Sequence, residues 1–313
     1  MSTSGITIGD TSSYNFTGNA ITLGAGGISA SSSGTSLSAT FGMPIALAAD
    51  QTWSLIGGED LSFSGNITGS HTLSIGVSGG SIASLSGVEV GTLTLSGTSS
   101  NSVFELSGPS YNGTDGSPVS LEGRALAEAN FTTGPLTLTS GTLDLGTSSP
   151  ETVTVNGALS TVSASKIVPV VDTSASSLLS ASGNVSLGGD LGFQGAGFTC
   201  LTLTPGQSYT LIQTTGGTLS GAFANAPEGA VLPVPCAPNP DGYLRIHYAS
   251  TAVTATVVAV PSLSMSAPSS GTAGGPISAS LSGGASPSGT VTFKVFGPQA
   301  SAPSDCSTGG TTV

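Results

Sequence analysis

Two carboxyl groups facing one cleft are the minimum that hydrolysis of a glycosidic bond requires, and seven acids are candidates. They are Glu59 with Asp60, Glu105, Asp115, Glu122, Asp144 and Asp190. Glu59 and Asp60 are adjacent, so on a strand they would point to opposite faces; following Gly57-Gly58 they read as a polar turn. A lyase acting on uronates also needs a base and cations that neutralise the substrate carboxylates. Before residue 260 only Arg124, Lys166 and Arg245 are cationic. The densest run of charge is LEGRALAEAN, and from Glu122 to Asn130 it reads as a short helix or a loop leaving the main body. Nucleophilic catalysis has little to draw on. His71 and His247 are the only histidines, and no Gly-x-Ser-x-Gly elbow stands between a strand and a helix. In Tyr243-Leu-Arg-Ile-His-Tyr248, alternation puts Tyr243, Arg245 and His247 on one face, the pattern of an exposed edge strand. No His or Cys pair has zinc spacing, so neither a metal nor another cofactor is expected.

Thr-x-Thr pairs suggest another chemistry, the ordering of water on a flat hydroxyl face, as in ice-binding solenoids. The pairs Thr92/Thr94, Thr137/Thr139, Thr152/Thr154 and Thr202/Thr204 are separated by 45, 15 and 50 positions, which is too irregular for such a lattice. Ordinary enrichment of Thr in strands accounts for them. Asn-x-Ser/Thr sequons at Asn15, Asn66, Asn112, Asn130 and Asn184 are about what chance gives in a chain this rich in Ser and Thr.

Strands must position these residues. The 313 residues include 47 Gly, 55 Ser and 40 Thr, a composition poor in helix formers and rich in strand and turn formers. Four Lys and Arg against 16 Asp and Glu give a net charge of −12, which leaves no basic surface for nucleic acid or an anionic membrane. A hydrophobic fraction of 37% and a mean hydropathy of +0.30 are those of a chain that folds. No run of 18 apolar residues occurs, so no bilayer-spanning helix is expected. MSTSGITIGD has neither a basic start nor an apolar core and does not read as a signal peptide.

Short segments alternate aliphatic with small polar residues: Thr72–Ile75, Thr92–Leu95, Leu136–Thr139, Thr142–Leu145, Thr152–Val155 and Leu201–Thr204. A sandwich, a barrel and a parallel solenoid are all open to such strands. Leu93 and Leu136 are 43 positions apart and Leu143 and Val185 are 42, near two coils of roughly 21 residues each, which favours the solenoid. So does an aromatic content of 5%, low for a sandwich core.

Gly91–Gly97, the Tyr111–Gly113 turn and Gly141–Leu145 follow the order G-T-L-T-L-S-G, Tyr-x-Gly, G-T-L. That order resembles the repeats of secreted bacterial β-helix proteins, the autotransporter passengers and filamentous haemagglutinin-like adhesins. Gly206 to Gly229 resembles the segment that closes such a helix near its C-terminal end. From Pro261 the chain resembles the front half of a bacterial immunoglobulin-like repeat, with Ile277, Ala279 and Leu281 on one strand and Gly289–Phe293 on the next. Such a sandwich needs about 100 residues, and only 53 remain.

The resemblance implies an all-β chain. A right-handed parallel β-helix would span 1–258 with a closing segment at about 200–258, and 259–313 would hold a linker and an incomplete immunoglobulin-like β-sandwich. It also implies a structural disulfide between Cys200 and Cys236, tying the Pro-rich loop 227–240 to the last coils, while Cys306 would have its partner elsewhere. The implied function is that of a non-enzymatic stalk, extracellular or on a bacterial cell surface, which displays or attaches through a surface, glycan or protein ligand. The alternative is a carbohydrate-active β-helix enzyme, a polysaccharide lyase or glycoside hydrolase.

Overall fold

Strands that alternate aliphatic and hydroxyl residues cannot bury their apolar face alone, and stacking coil on coil buries all of them against one narrow interior. The computed structural model describes residues 1–9, 12–31, 37–99, 101–114, 116–198, 200–236 and 242–259, and four short strands within 262–312. The chain divides into two units, Met1–Ala259 and Val260–Val313. The first is an all-β parallel solenoid of about eight turns, as the sequence leads one to expect.

Each turn contributes a strand to three stacked parallel sheets. The first sheet runs through Ser38–Phe41, Asp60–Phe63, Ile82–Leu85 and Val103–Leu106. The second runs through Ile45–Leu47, Ile67–Thr68, Val88–Glu89, Ser110–Tyr111, Phe131–Thr133, Thr152–Val155 and Leu178–Ala181. The third runs through Gln51–Ile56, Thr72–Ser78 and Thr92–Gly97, then the leading halves of Val119–Ala127 and Leu136–Leu145, then Leu159–Thr161, Val185–Leu187 and Leu219–Gly221. The trailing halves of those two long strands turn the corner and continue the first sheet.

The coil length varies. Phe41, Phe63, Leu85 and Leu106 follow one another at 22, 22 and 21 residues. Leu93 and Leu136 are two rungs apart on one sheet, through Val119, with steps of 26 and 17. Leu143 and Val185 are on different sheets, paired with Ile167 and Leu159, so their spacing of 42 is a coincidence.

The interior takes aliphatic residues along its length, but at its start it is aromatic. Phe16, Phe41 and Phe63 stack at 4.7 and 4.9 Å, and Trp53 leans on Phe63 at 5.0 Å. Trp53, Phe41 and Phe63 are fully buried. A stacked coil repeats the same interior position every rung, so aromatic rings fall into a ladder that adds about 0.5–1.5 kcal/mol per pair to their burial.

Two expectations fail here. LEGRALAEAN is neither a helix nor a loop: Val119–Ala127 is one strand, bonded to strands on both sides. Its helix formers lose to the rung ladder, because Leu121, Ala125 and Ala127 face the core. The bend lies at Gly123, with φ 105°, and recurs on the next rung at Gly141, with φ 81°. A Cβ on Gly141 would stand 1.9 Å from the Gly123 carbonyl oxygen. The second failure is Leu201–Thr204, which forms no strand, although Leu203 is buried.

Rung-to-rung bonding changes character at the C-terminal end. Ser208–Thr214 pairs in parallel with Leu178–Ala181 and antiparallel with Ala252–Val258, which in turn pairs with Gly242–Tyr248, and that with Val231–Val234. An antiparallel sheet thereby covers part of the last coil's open edge. The strand carrying His247 is an interior strand of this cap rather than the expected edge. Cys200 and Cys236 form a disulfide with a Cα separation of 5.4 Å.

In the second unit, Ser262–Ser266 pairs antiparallel with Ser278–Ser282, and Lys294–Val295 with Thr311–Thr312. Ala279 and Leu281 are on a strand, whereas Ile277, Gly289–Phe293 and Cys306 lie outside the described residues.

Candidate functional site

Outward positions of the first sheet carry a run of charged residues. Rung by rung, Asp60 is followed by Ile82, Val103, Arg124, Thr142, Lys166 and Asp190. Beside that column stands Glu105, which accepts a hydrogen bond from the Ser84 hydroxyl at 2.5 Å. Glu128 follows at the end of the next strand, where its backbone N–H donates to the Leu106 carbonyl.

Electrostatically these acids form a group. Partial burial raises the Asp60 carboxyl above the usual carboxylate range, and the neighbouring charges of Glu105 and Glu59 add to the shift. Burial raises Glu128 likewise, with Glu105 the second cause. Neighbouring carboxyls on one face are the groups that glycoside chemistry would draw on. Of the cations on the same face, Arg124 is already engaged. Arg124 Nε donates to Asp144 Oδ2 at 2.7 Å, and Asp144 is almost buried. Lys166 and Asp190 are rung partners.

The other sequence candidates disperse. Glu59 points inward, opposite to Asp60 as adjacency requires, and is fully buried. Its Oε2 accepts from the Leu37 N–H at 3.2 Å, while its Oε1 has no partner. Glu122 is on the third sheet, and Asp115 lies outside the described residues. His71 is 3.6 Å from Asp50, whose Oδ1 accepts the Thr72 N–H. His247 Nδ1 is 2.8 Å from Glu228, which also accepts the Tyr248 N–H at 2.7 Å. No group of three His, Cys, Asp or Glu among the described residues is arranged to hold a metal. The Thr pairs do not share a plane: Thr92/Thr94 and Thr137/Thr139 are on the third sheet, Thr152/Thr154 on the second, and Thr202/Thr204 on no strand.

The sequence reading passed over one recurrent device. At the corners of the coil an Asn or Asp side chain accepts a backbone N–H from an adjoining rung: Asp50 from Thr72, Asn112 from Val90, Asn130 from Thr152 and Asn184 from Thr218. Three of these are sequon asparagines. The Tyr111–Gly113 turn is built around one of them. Tyr111 donates its hydroxyl to the Leu85 carbonyl and accepts the Gly108 N–H, and burial pushes its phenol well above the usual range. Asn112 takes a positive φ of 56°.

Among the described residues there is an internal cavity. It lies among Leu95, Tyr111, Leu121, Phe131 and Leu143, all buried, beside the unpartnered Thr133 hydroxyl. It falls where the 26-residue and 17-residue steps meet, and its lining offers a substrate neither a charge nor an open cleft. No helix among the described residues is long and apolar enough to cross a membrane. The chain matches no family model, no curated protein and no solved structure.

Proposed function

We propose that this chain is a non-enzymatic extracellular rod, a right-handed β-helix that holds binding surfaces away from a cell envelope. The carrying observation is the unbroken bonding of about eight turns into one stack, closed by an antiparallel cap and a disulfide. Each coil is fixed by its neighbours, so stiffness accrues along the axis. A disulfide bridging 36 positions suits an oxidising compartment. The resemblance of Gly91–Leu145 to secreted β-helix adhesins agrees with that placement, and 259–313 would hold a linker and an incomplete immunoglobulin-like repeat. Attachment to a surface, glycan or protein ligand is the role such a rod serves.

A second reading, a carbohydrate-active enzyme, is favoured by one observation: Asp60 and Glu128 are both raised in pKa, with Glu105 as their common neighbour. One assay separates the two. The full chain is incubated with neutral and acidic polysaccharides, and release of reducing or unsaturated ends is measured. The rod reading expects none. Turnover that disappears in Glu105→Gln, with the fold retained, refutes it and makes the acidic group a catalytic site.

A further inference from the structure

Tyr243, Arg245 and His247 form an outward row on the cap. Gly242–Tyr248 has a paired strand on each side, so the row runs down the middle of a sheet face. Leu244 and Ile246 between them point the other way and are fully buried. Register places Val231 and Thr256 on either side of Arg245, and Thr254 beside His247. Successive outward residues stand about 6.8 Å apart along a strand, so the row is roughly 14 Å long.

Each member of the row has a group to offer. Arg245 is partly exposed, and among the described residues it has no carboxylate within ion-pair distance. Tyr243, also partly exposed, brings an aromatic body with a polar tip. His247 is exposed but held: its Nδ1 is 2.8 Å from Glu228 Oε1, and Glu228 is fixed in turn by the Tyr248 N–H. A carboxylate only accepts, so Nδ1 carries the proton and, in the neutral ring, Nε2 is left as an acceptor.

These groups suit different parts of one kind of molecule. A guanidinium takes a carboxylate through two parallel N–H···O bonds. A phenol ring packs on the C–H face of a pyranose, while His247 Nε2 and the Thr254 and Thr256 hydroxyls exchange hydrogen bonds with its hydroxyls. A polyanion does not fit, because a single arginine faces it from a chain of net charge −12. One carboxylate does. Among the described residues of 200–259 the only acid is Glu228, already engaged by His247 and Tyr248, and repulsion from the coil acids is screened with a Debye length of about 8 Å at physiological salt. Val231 is the one exposed large aliphatic on this face, which therefore lacks the apolar centre of a protein interface.

We propose that the outer face of the cap, centred on Arg245 with Tyr243 and His247, binds a glycan whose terminal sugar is carboxylated and whose inner sugars are neutral. The proposal rests on the rod reading and names its ligand. The full 313-residue chain is titrated with sialyllactose, which carries one carboxylate, and with lactose, which carries none, and nitrogen-15 NMR follows the backbone amides and the arginine Nε–H. Sialyllactose should shift the resonances of 243–247 with a millimolar dissociation constant, and lactose should bind about tenfold more weakly or not at all. Arg245→Gln should weaken sialyllactose by about tenfold or more, and Tyr243→Ala should weaken both sugars. Lys166→Gln removes the same charge from the first sheet and should leave binding unchanged, each variant being checked for an unaltered melting transition.

Absence of any shift with sialyllactose overturns the proposal. So does equal binding of the two sugars, or an equal loss in Arg245→Gln and Lys166→Gln. Shifts of the row that grow with protein concentration and without sugar give the face to a second copy, which also overturns it. Release of sugar ends in the earlier assay would refute the rod while leaving the titration to decide the glycan site.

Discussion

Asn112 offers a perturbation whose two parts can be measured separately. It is fully buried, with φ 56°, its Oδ1 accepts the Val90 N–H at 2.7 Å, and its Nδ2 donates to the Pro118 carbonyl at 3.3 Å. Its own N–H donates to the Val88 carbonyl at 2.6 Å, a bond that any substitution other than Pro retains. Asn112→Gly keeps the left-handed backbone at no steric cost but strands the Val90 amide, which is itself buried. An unpaired buried N–H costs about 1–3 kcal/mol. Asn112→Ala adds the left-handed penalty of a Cβ, about 1–2 kcal/mol, for an expected total of about 2–5 kcal/mol.

The assay is urea unfolding followed by circular dichroism, with the slope unchanged and the midpoint shifted. Asn184→Gly is the comparison, since Asn184 makes a similar acceptor bond to the Thr218 N–H but on the exposed surface. It should cost under about 1 kcal/mol. If Ala at 112 proves no worse than Gly, the positive φ carries no cost. If all three variants lie within about 0.5 kcal/mol of the native chain, the corner asparagines are not rung brackets and the reasoning fails.

Other outcomes follow from the same structure. Gly141→Ala should destabilise by about 2–4 kcal/mol, since a Cβ there meets the Gly123 carbonyl at a left-handed backbone position; a midpoint equal to the native one would remove the corner argument. Phe63→Ala should cost about 3–5 kcal/mol, with amide-exchange protection lost around 38–85 and retained in the cap, because coils bond only to neighbours; uniform loss of protection would contradict this. Cleaving the Cys200–Cys236 bridge, tested as the double Ser variant, should lower stability by about 4 kcal/mol on loop-closure grounds, read as a melting shift. Glu228 is held below the usual carboxylate range by the Tyr248 N–H and then by His247. A depressed carboxyl stabilises the fold above its unfolded pKa, and that contribution is lost as pH falls through the folded value. The Tyr248 amide resonance should report this acid transition and lose it in Glu228→Gln.

The period of two in Thr92–Leu95 or Thr152–Val155 was legible because a strand's faces are set by neighbouring residues, and those faces are the ones observed. The Cys200 and Cys236 pairing was legible through the resemblance to closing segments. The rung partners of the third sheet were not, because their steps range from 17 to 34 residues and no fixed period reveals them. Nor were the corner asparagines, whose partners lie 22 to 34 positions away. Asp60, Glu105 and Glu128 are far apart in the chain, and only the stacking of coils puts them on one face.

By itself the sequence determined that this chain is all β, that its aliphatic residues face one way along each strand, and that its surface is acidic. These are local consequences of composition and alternation, fixed before any long-range contact forms. The tertiary structure decided which strands are rung partners, that LEGRALAEAN is extended rather than helical, and which outward residues share a column. Those outcomes depend on register between segments distant in sequence, and register is chosen by the interior as a whole: the aromatic ladder, the glycine corners and the side-chain brackets fit together in one stacking.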